Sequence, residues 1–372
     1  MTEQADGDPE GPDPTAGRQR GSTRPAPGPA PRRVASIRDV AAGAGVSVGT
    51  VSNVLNAPER VAPATAERVQ AVIEELGYVR NEAARQLRAG TSLSLGFVVL
   101  DVGNPFFTDV ARGAQEVSQT AGLSVVLGTS DQDPAKEAAY LDLFEQQRVA
   151  GVLLTPVQTD AAMVARVARR TVPVVLVDHR GDDPRVSSVA VDDVAGGAMA
   201  VQHLLDLGHR RIAMVGTPSV HVVAARLEGA RRAVAGQPGA TLELVDTDSF
   251  TVPAGRSAAR TLLRRPRAER PEAVFAANDM LAVGCQQAFA VQGSGAGEPH
   301  RIALIGYDDV ELASVTSVPL SSVRQPREEI GRTAVRLLLE QIADPAAPRQ
   351  HPVFTPELVV RESTTSGVPV WG

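Results

Sequence analysis

The 372-residue chain has very little of several things, and each scarcity closes off a function. It has a single cysteine, Cys285, which excludes an internal disulfide and a cysteine-built metal site. The small apolar neighbours Val283, Gly284 and Ala288 mark that thiol as buried and inert. Lys136 is the only lysine and follows no glycine-rich loop, so no phosphate-binding P-loop is present. Gly196-Gly197 lacks the spacing of a dinucleotide-binding turn. The histidines (His179, His203, His209, His221, His300 and His351) show no metal-ligand spacing, and no Gly-x-Ser-x-Gly elbow occurs. The sequence therefore gives no support for catalysis, and no cofactor or metal is expected. No apolar run reaches the ~20 residues of a membrane span. The N-terminal stretch has no apolar segment of signal-peptide type, so the expected location is cytoplasmic.

What the chain does have is 43% hydrophobic residues, enough for a substantial core and more than one domain. Its basic residues are almost all arginine, and the net charge is -6. Residues 1–34 form a separate zone crowded with Gly and Pro, which cannot bury enough surface to offset the entropy of ordering. Disorder is expected there. The zone's charges are sorted, with Glu3, Asp6, Asp8, Glu10 and Asp13 preceding Arg18, Arg20, Arg24, Arg32 and Arg33. Either this is a solvated leader without a role, or the arginines form a flexible arm that reaches phosphates.

Residues 36–56 have the rhythm of a helix-turn-helix. Ser36 can cap a helix whose apolar positions Ile37, Val40, Ala41 and Ala44 fall on one face. Gly45 permits a sharp turn, and Ser47 can cap the next helix. In that second helix Val51, Val54 and Leu55 can face inward, leaving Val48, Gly49, Thr50, Ser52 and Asn53 outside. Ser36-Ile37-Arg38-Asp39-Val40-Ala41, Ala44-Gly45-Val46-Ser47, Thr50-Val51-Ser52 and Val54-Leu55-Asn56 together resemble the headpiece of the LacI/GalR family of bacterial transcriptional repressors. The resemblance continues through a third helix between Val61 and Tyr78 and a hinge helix from Asn81 to Leu87, then more weakly to about Glu362.

The resemblance implies roles. Val48 and Gly49 take the first two base-reading positions and offer apolar contact and close approach rather than bidentate hydrogen bonds. Asn53 stands where many relatives carry arginine, and its amide matches adenine N6 and N7. Ser47, Thr50, Ser52 and Asn56 suit phosphate contacts that fix register. Leu87 takes the place of a wedge pushed between base pairs in the minor groove, with Ala84 allowing the paired hinge helices to approach. Ala62 departs from the usual capping serine or threonine, and Pro63 offsets part of that loss. Between residues 36 and 90 the charges cancel: Arg38, Arg60, Arg68, Arg80, Arg85 and Arg88 face Asp39, Glu59, Glu67, Glu74, Glu75 and Glu82. DNA binding is therefore read from the motif and not from global charge.

From Leu93 the chain alternates apolar strands with helical stretches. Strands are expected at 95–100, 124–127, 151–154, 174–177, 212–215, 273–276 and 302–305, with a helix at 107–121. Such alternation predicts parallel sheets covered by helices, with ligands bound beyond the carboxyl ends of the strands. The residues just past those ends include Phe106, Phe107, Asp178, Arg226, Asn278 and Asp308. By resemblance to a periplasmic-binding-protein-like sensor, these and Phe250 form the effector site. Carboxylates and an arginine would share out hydroxyls, and an aromatic ring would stack. Asp279 and Asp309 read as structural caps, and Asp192 as serving either the cleft or a loop. The chain should cross between lobes near 189–192, near 321–325 and after His351.

The expected fold is thus a small all-α helix-turn-helix headpiece with a hinge helix, joined to a two-lobed α/β effector domain. The boundaries fall at 1–34 for the tail, 35–80 for the headpiece, 81–92 for hinge and linker, 93–362 for the sensor and 363–372 for a C-terminal tail. The expected function is sequence-specific repression at a near-palindromic double-stranded DNA operator, adjusted by a small-molecule effector of carbohydrate type. A homodimer or a tetramer is expected, and the lack of a leucine-heptad extension after the sensor weakens the case for the tetramer. The alternative is a solute-binding protein without a DNA role, which would have no use for residues 36–90.

Overall fold

The computed structural model describes residues 35–78, 92–293 and 302–365, which fall into two compact units, 1–82 and 83–372. The hinge helix with Ala84 and Leu87, the N-terminal tail, Arg80, Arg85, Arg88 and His300 lie outside the described residues.

Among its described residues the first unit holds three α-helices: α1 (Ile37–Ala44), α2 (Val48–Asn56) and α3 (Pro63–Leu76). Each begins and ends where the local chemistry dictates. Ser36 and Asp39 form a reciprocal capping box on α1, with the Ser36 N–H donating to Asp39 Oδ2 at 2.8 Å. Gly45 ends α1 in the left-handed region at φ 65°. Ser47 caps α2 by accepting the Thr50 N–H at 3.0 Å. Helix α3 has no side-chain cap at Ala62 and starts on Pro63, as the sequence implied. Val40, Ala41, Ala44, Val51 and Val69 make the core, and Arg68 Nε donates to the Ala44 carbonyl at 2.9 Å, tying α3 to the end of α1.

The second unit has two lobes, each built on a six-stranded sheet. Lobe 1 contains β1 (Ser94–Val99), α4 (Pro105–Thr120), β2 (Ser124–Thr129), α5 (Pro134–Gln146), β3 (Gly151–Leu154), α6 (Ala161–Ala168), β4 (Val174–Val177) and β5 (Ser187–Val191). Lobe 2 contains α7 (Asp193–Asp206), β6 (Arg211–Val215), α8 (His221–Ala235), β7 (Thr241–Val245), α9 (Val252–Leu263), β8 (Ala273–Ala276), α10 (Asp279–Gly293), β9 (Ala303–Asp308), α11 (Glu311–Val315) and β10 (Ser321–Arg324). The chain then returns to lobe 1 as α12 (Arg327–Ala343) and β11 (Val353–Phe354), and ends in lobe 2 with β12 (Glu357–Val359). The strand orders are β11-β5-β4-β3-β1-β2 and β12-β10-β9-β8-β6-β7, all pairings parallel except β10 with β12. Each lobe repeats the doubly wound order, with its switch point between the first and third strands of the lobe. The three crossings lie at 191–193, 325–326 and 355–356, where the sequence placed them.

Three helix pairs are joined backbone to backbone by reciprocal glycines. A Cβ on Gly113 of α4 would land on the Glu328 carbonyl of α12, and one on Gly331 of α12 on the Val110 carbonyl of α4. Gly197 of α7 and Gly229 of α8 stand in the same relation to the carbonyls of Arg226 and Val194. Gly255 of α9 and Gly284 of α10 repeat it with Leu281 and Val252.

Two expectations need correction. The sensor does not end at Glu362: Ser363 and Thr364 are buried, and Ser363 pairs with Leu304 and Pro319 through its backbone. A hydroxyl-rich turn satisfied by buried partners reads in sequence as a polar tail. Asp279 and Asp309 are not helix caps either. Asp279 is fully buried and accepts from the Ser322 hydroxyl at 2.7 Å and the Val310 N–H at 2.9 Å, stitching α10 to the strand ends of lobe 2. Asp309 pairs with Arg324 at 2.7 Å and Arg361 at 2.6 Å. The capping bond at the start of α10 comes from Asn278, whose Oδ1 accepts the Leu281 N–H at 2.9 Å.

Candidate functional site: a reading helix and an interlobe cleft

In the first unit α2 presents Val48, Gly49 and Asn53 to solvent, with Val48 39% exposed despite its apolar side chain. Thr50 and Ser52 are half-buried. The four residues assigned to phosphate contacts also hold the helix itself. Ser47 Oγ lies 2.9 Å from Thr50 Oγ1, and Asn56 Nδ2 donates to the Ser52 carbonyl at 2.7 Å. The helix is thus stiffened along its polar edge, while Val48, Gly49 and Asn53 stay outward.

In the second unit all seven candidate effector residues line one cleft between the lobes, with a cavity volume of about 50 Å³. Lobe 1 contributes Phe106 and Phe107 from the first turn of α4 and Asp178 from the end of β4. Lobe 2 contributes Arg226 from α8, Phe250 ahead of α9, Asn278 after β8 and Asp308 at the end of β9. Phe106 and Phe107 pack edge to face at 5.0 Å and are 2% and 6% exposed, so most of each ring belongs to the lobe 1 core. Phe250 is half-buried.

The cleft's polar groups are bound together across the lobes. His221 of α8 donates through Nε2 to the Asp178 carbonyl at 2.8 Å. Gln325, on the second crossing, donates to Asp308 Oδ1 at 2.7 Å, and Asn104 of lobe 1 bonds the same carboxylate. Arg226 is held inside lobe 2. Its Nε donates to Asp193 Oδ1 at 2.7 Å, its Nη1 to the Ala277 carbonyl at 2.7 Å, and its guanidinium carbon lies 3.6 Å from the Tyr307 ring centre. Asp178 Oδ1 and Gln325 Oε1 are buried without a hydrogen-bond partner. Buried acceptors of this kind call for a donor.

Backbone strain and shifted acidity gather at the same place. Asp178 (φ 56°), Asp308 (φ 104°) and Gln132 (φ 60°), all lining the cleft, occupy the left-handed region that side chains disfavour. Burial, helped by the charge of Asp193, pushes the Asp178 carboxyl up to about 7. Burial likewise raises Asp308 to about 6, with Arg226 and the Gln325 bond opposing it. Burial favours loss of the Arg226 proton, but the surrounding Asp193, Tyr307, Asp308 and Asp178 outweigh it and hold the guanidinium charged.

Sequence reasoning passed over Asp193, Tyr307, Asn104, Gln132 and Gln325. Gln132 sits just past β2, so the strand-end rule covers it, and Gln325 lies on a segment read only as a crossing. Asp193 and Tyr307 had no signal, because they act through Arg226 from inside the lobe. Asp192 caps α7 through the Ala195 N–H at 3.0 Å, which settles its role as local. Among the described residues no cluster of His, Cys, Asp and Glu could hold a metal ion, and no helix is long and apolar enough to cross a membrane.

A helix-turn-helix unit on the same chain as a two-lobed sensor defines a DNA-binding transcriptional regulator. Residues 36–81 match the model for bacterial regulatory proteins of the lacI family, and residues 201–364 match a periplasmic binding protein-like domain. The ribose operon repressor of Escherichia coli is 36% identical over 336 residues, covering 89% of this chain and 100% of that protein. The HTH-type transcriptional repressor PurR of Photobacterium profundum is 32% identical over 335 residues, covering 89% and 98%. The lac repressor dimer bound to operator and the anti-inducer ONPF superposes with a TM-score of 0.76 at 28% identity, covering 90% of this chain and 100% of that one. The chain belongs to the lacI family of bacterial regulatory proteins.

Proposed function

We propose that the protein is a cytoplasmic, homodimeric repressor that binds a near-palindromic operator through α2 and loosens its grip when a small sugar or sugar derivative enters the interlobe cleft. The observation that carries the effector half is the pair of buried, unpartnered acceptors, Asp178 Oδ1 and Gln325 Oε1, beside the Asp308 carboxylate. Polyhydroxyl compounds offer the donors these groups lack. One relative is named as a ribose operon repressor, and the lac repressor structure holds operator and anti-inducer in a dimer. On the DNA side, Val48, Gly49 and Asn53 read bases, Ser47, Thr50, Ser52 and Asn56 meet phosphates, and Leu87 with Ala84 form the minor-groove wedge. The ligand shifts DNA affinity only if it favours one lobe arrangement over another.

Selection from random duplexes, followed by release of the bound duplex with a panel of sugars and purines, tests both halves. A two-fold-symmetric motif should emerge, and at least one sugar should release it. Arg226→Ala should abolish release and leave operator binding intact, while Asn53→Arg should change base preference at one half-site position by about 1–3 kcal/mol. A selection without symmetry would overturn the DNA half. Release by purines alone would overturn the carbohydrate half.

A further inference from the structure

We propose that Asn56 is a positioning residue for DNA binding: its side-chain amide presets the Ser52 hydroxyl as a donor to a phosphate oxygen and does not itself touch the phosphate. This rests on the DNA reading above and sharpens it at Asn56, which serves the phosphate through Ser52.

The stretch from Ser47 to Asn56, the cap and body of α2, carries no charged side chain. Its side chains hold phosphates only through neutral donors, because a phosphate oxygen accepts and never donates. Those donors can be counted. Asn56 Nδ2 has two hydrogens, and it donates to the Ser52 carbonyl at 2.7 Å and to Ser52 Oγ at 3.2 Å. The carbonyl fixes which end of the amide points there, since the Asn56 oxygen would meet it as acceptor against acceptor. With both hydrogens engaged, the other polar atom of the side chain is an oxygen, which cannot bond to a phosphate oxygen.

The bond to Ser52 Oγ decides what that hydroxyl does. An oxygen that accepts from an amide still has its own hydrogen to give. Serine and threonine elsewhere return that hydrogen to the carbonyl four residues back, as Ser118 does to Ala114 at 2.7 Å and Thr261 to Ser257 at 3.2 Å. Ser52 makes no such bond among the described residues; within α2 its hydroxyl only accepts. The hydrogen is therefore available to an outside acceptor, and the amide behind it polarises the O–H and strengthens that bond. The start of α2 follows the same count. Ser47 Oγ accepts the Thr50 N–H at 3.0 Å and lies 2.9 Å from Thr50 Oγ1. Whichever hydroxyl donates to the other, that pair keeps one hydrogen for an outside acceptor.

The test is a double-mutant cycle on the full chain, read by fluorescence anisotropy with random-sequence duplex DNA at low salt, where phosphate contacts carry the binding. Ser52→Ala should weaken binding about tenfold, the scale of one hydrogen bond to a charged acceptor. Asn56→Ala should weaken it about threefold, because the hydroxyl remains but is no longer preset. In the Ser52→Ala background the Asn56 substitution should cost nothing further. Ser52→Ala leaves the Asn56 bond to the carbonyl in place, so a role confined to holding the helix end would still show in that background. A direct phosphate contact by Asn56 would show there too. Asn56→Gln retains an amide donor and should bind between the parent and Asn56→Ala; complete loss of binding in both variants would place Asn56 in the fold and overturn its positioning role. An undiminished Asn56 effect in the Ser52→Ala background also overturns the proposal, as does a Ser52→Ala variant that binds like the parent, and both outcomes leave the DNA reading standing. Failure of the parent chain to bind any duplex overturns the DNA reading, and the role of Asn56 with it.

Discussion

Arg327 and Asp109 are joined at 2.8 Å, through the arginine Nε and the carboxylate Oδ2, where the chain re-enters lobe 1. The same guanidinium donates to the carbonyls of Asp308 and Asp309 in lobe 2, so one side chain fastens the second crossing to both lobes. Both side chains are 18% exposed. Arg327→Ala leaves the mostly buried Asp109 carboxylate with only Arg112, 3.5 Å away, and frees two carbonyls, and should cost about 1–3 kcal/mol in urea denaturation. Arg327→Lys should recover only part of it, because a point charge cannot span three acceptors. Full recovery by lysine would show that charge alone matters there.

Stability should fall as pH rises between about 4 and 7 through Asp178. Its folded value is raised to about 7 from 3.8, so the folded state holds a proton that the unfolded chain has released over that window. Stabilisation by the neutral form is complete below pH ~4 and is lost as pH passes the folded value. His179 works in the opposite sense: burial, with His221 and His351, lowers it to about 4 from 6.5, so its share of stability is lost on acidification. The informative quantity is therefore the difference between the parent and Asp178→Asn, followed by melting temperature from pH 4 to 8. The asparagine variant should gain on the parent with rising pH, and a constant gap would refute the assignment.

Gly229→Ala should destabilise the protein by about 1–3 kcal/mol even though it adds only a methyl group to a helix. The added carbon meets the Val194 carbonyl, a backbone atom that cannot rotate away. Guanidinium denaturation of the purified variant reads the loss directly. Gly236→Ala, at the exposed C-cap of the same helix, has no such collision and serves as the control.

Cys285 should ignore thiol reagents at pH 8 until the protein unfolds. It is fully buried, its Sγ donates to the Gly255 carbonyl at 3.4 Å, and burial pushes the thiol up to about 12. Labelling in the native state at the rate of a free thiol would show that the α9–α10 interface opens readily.

The strand-end rule made the cleft legible because parallel sheets place polar residues of distant sequence at one edge, and Asp178, Asn278 and Asp308 each follow an apolar run. Strands β5 and β10 escaped the expected list because they begin Ser187-Ser188 and Ser321-Ser322, which read as polar. All four serines are nonetheless buried, and their hydroxyls are satisfied: Ser187 accepts from Gln341, and Ser322 donates to Asp279. Strand β7 escaped for a different reason, since Glu243 interrupts its apolar run and pairs with Arg265 from the neighbouring helix end. The Arg226–Asp193 pair was invisible because the two residues lie 33 positions apart and only packing brings them together.

The glycine-paired helices have a mechanical consequence. Helices whose backbones touch have no side-chain layer to slide on, so each pair moves as one stiff plate. One such plate braces lobe 1 and two brace lobe 2, leaving the three short crossings as the compliant parts of the sensor. A stiff body turning on a narrow pivot behaves as a lever, with displacement growing in proportion to distance from the axis. A change too small to notice at the cleft, beside the pivot, is therefore magnified at the far end of each lobe without any hydrogen bond inside the lobes having to break.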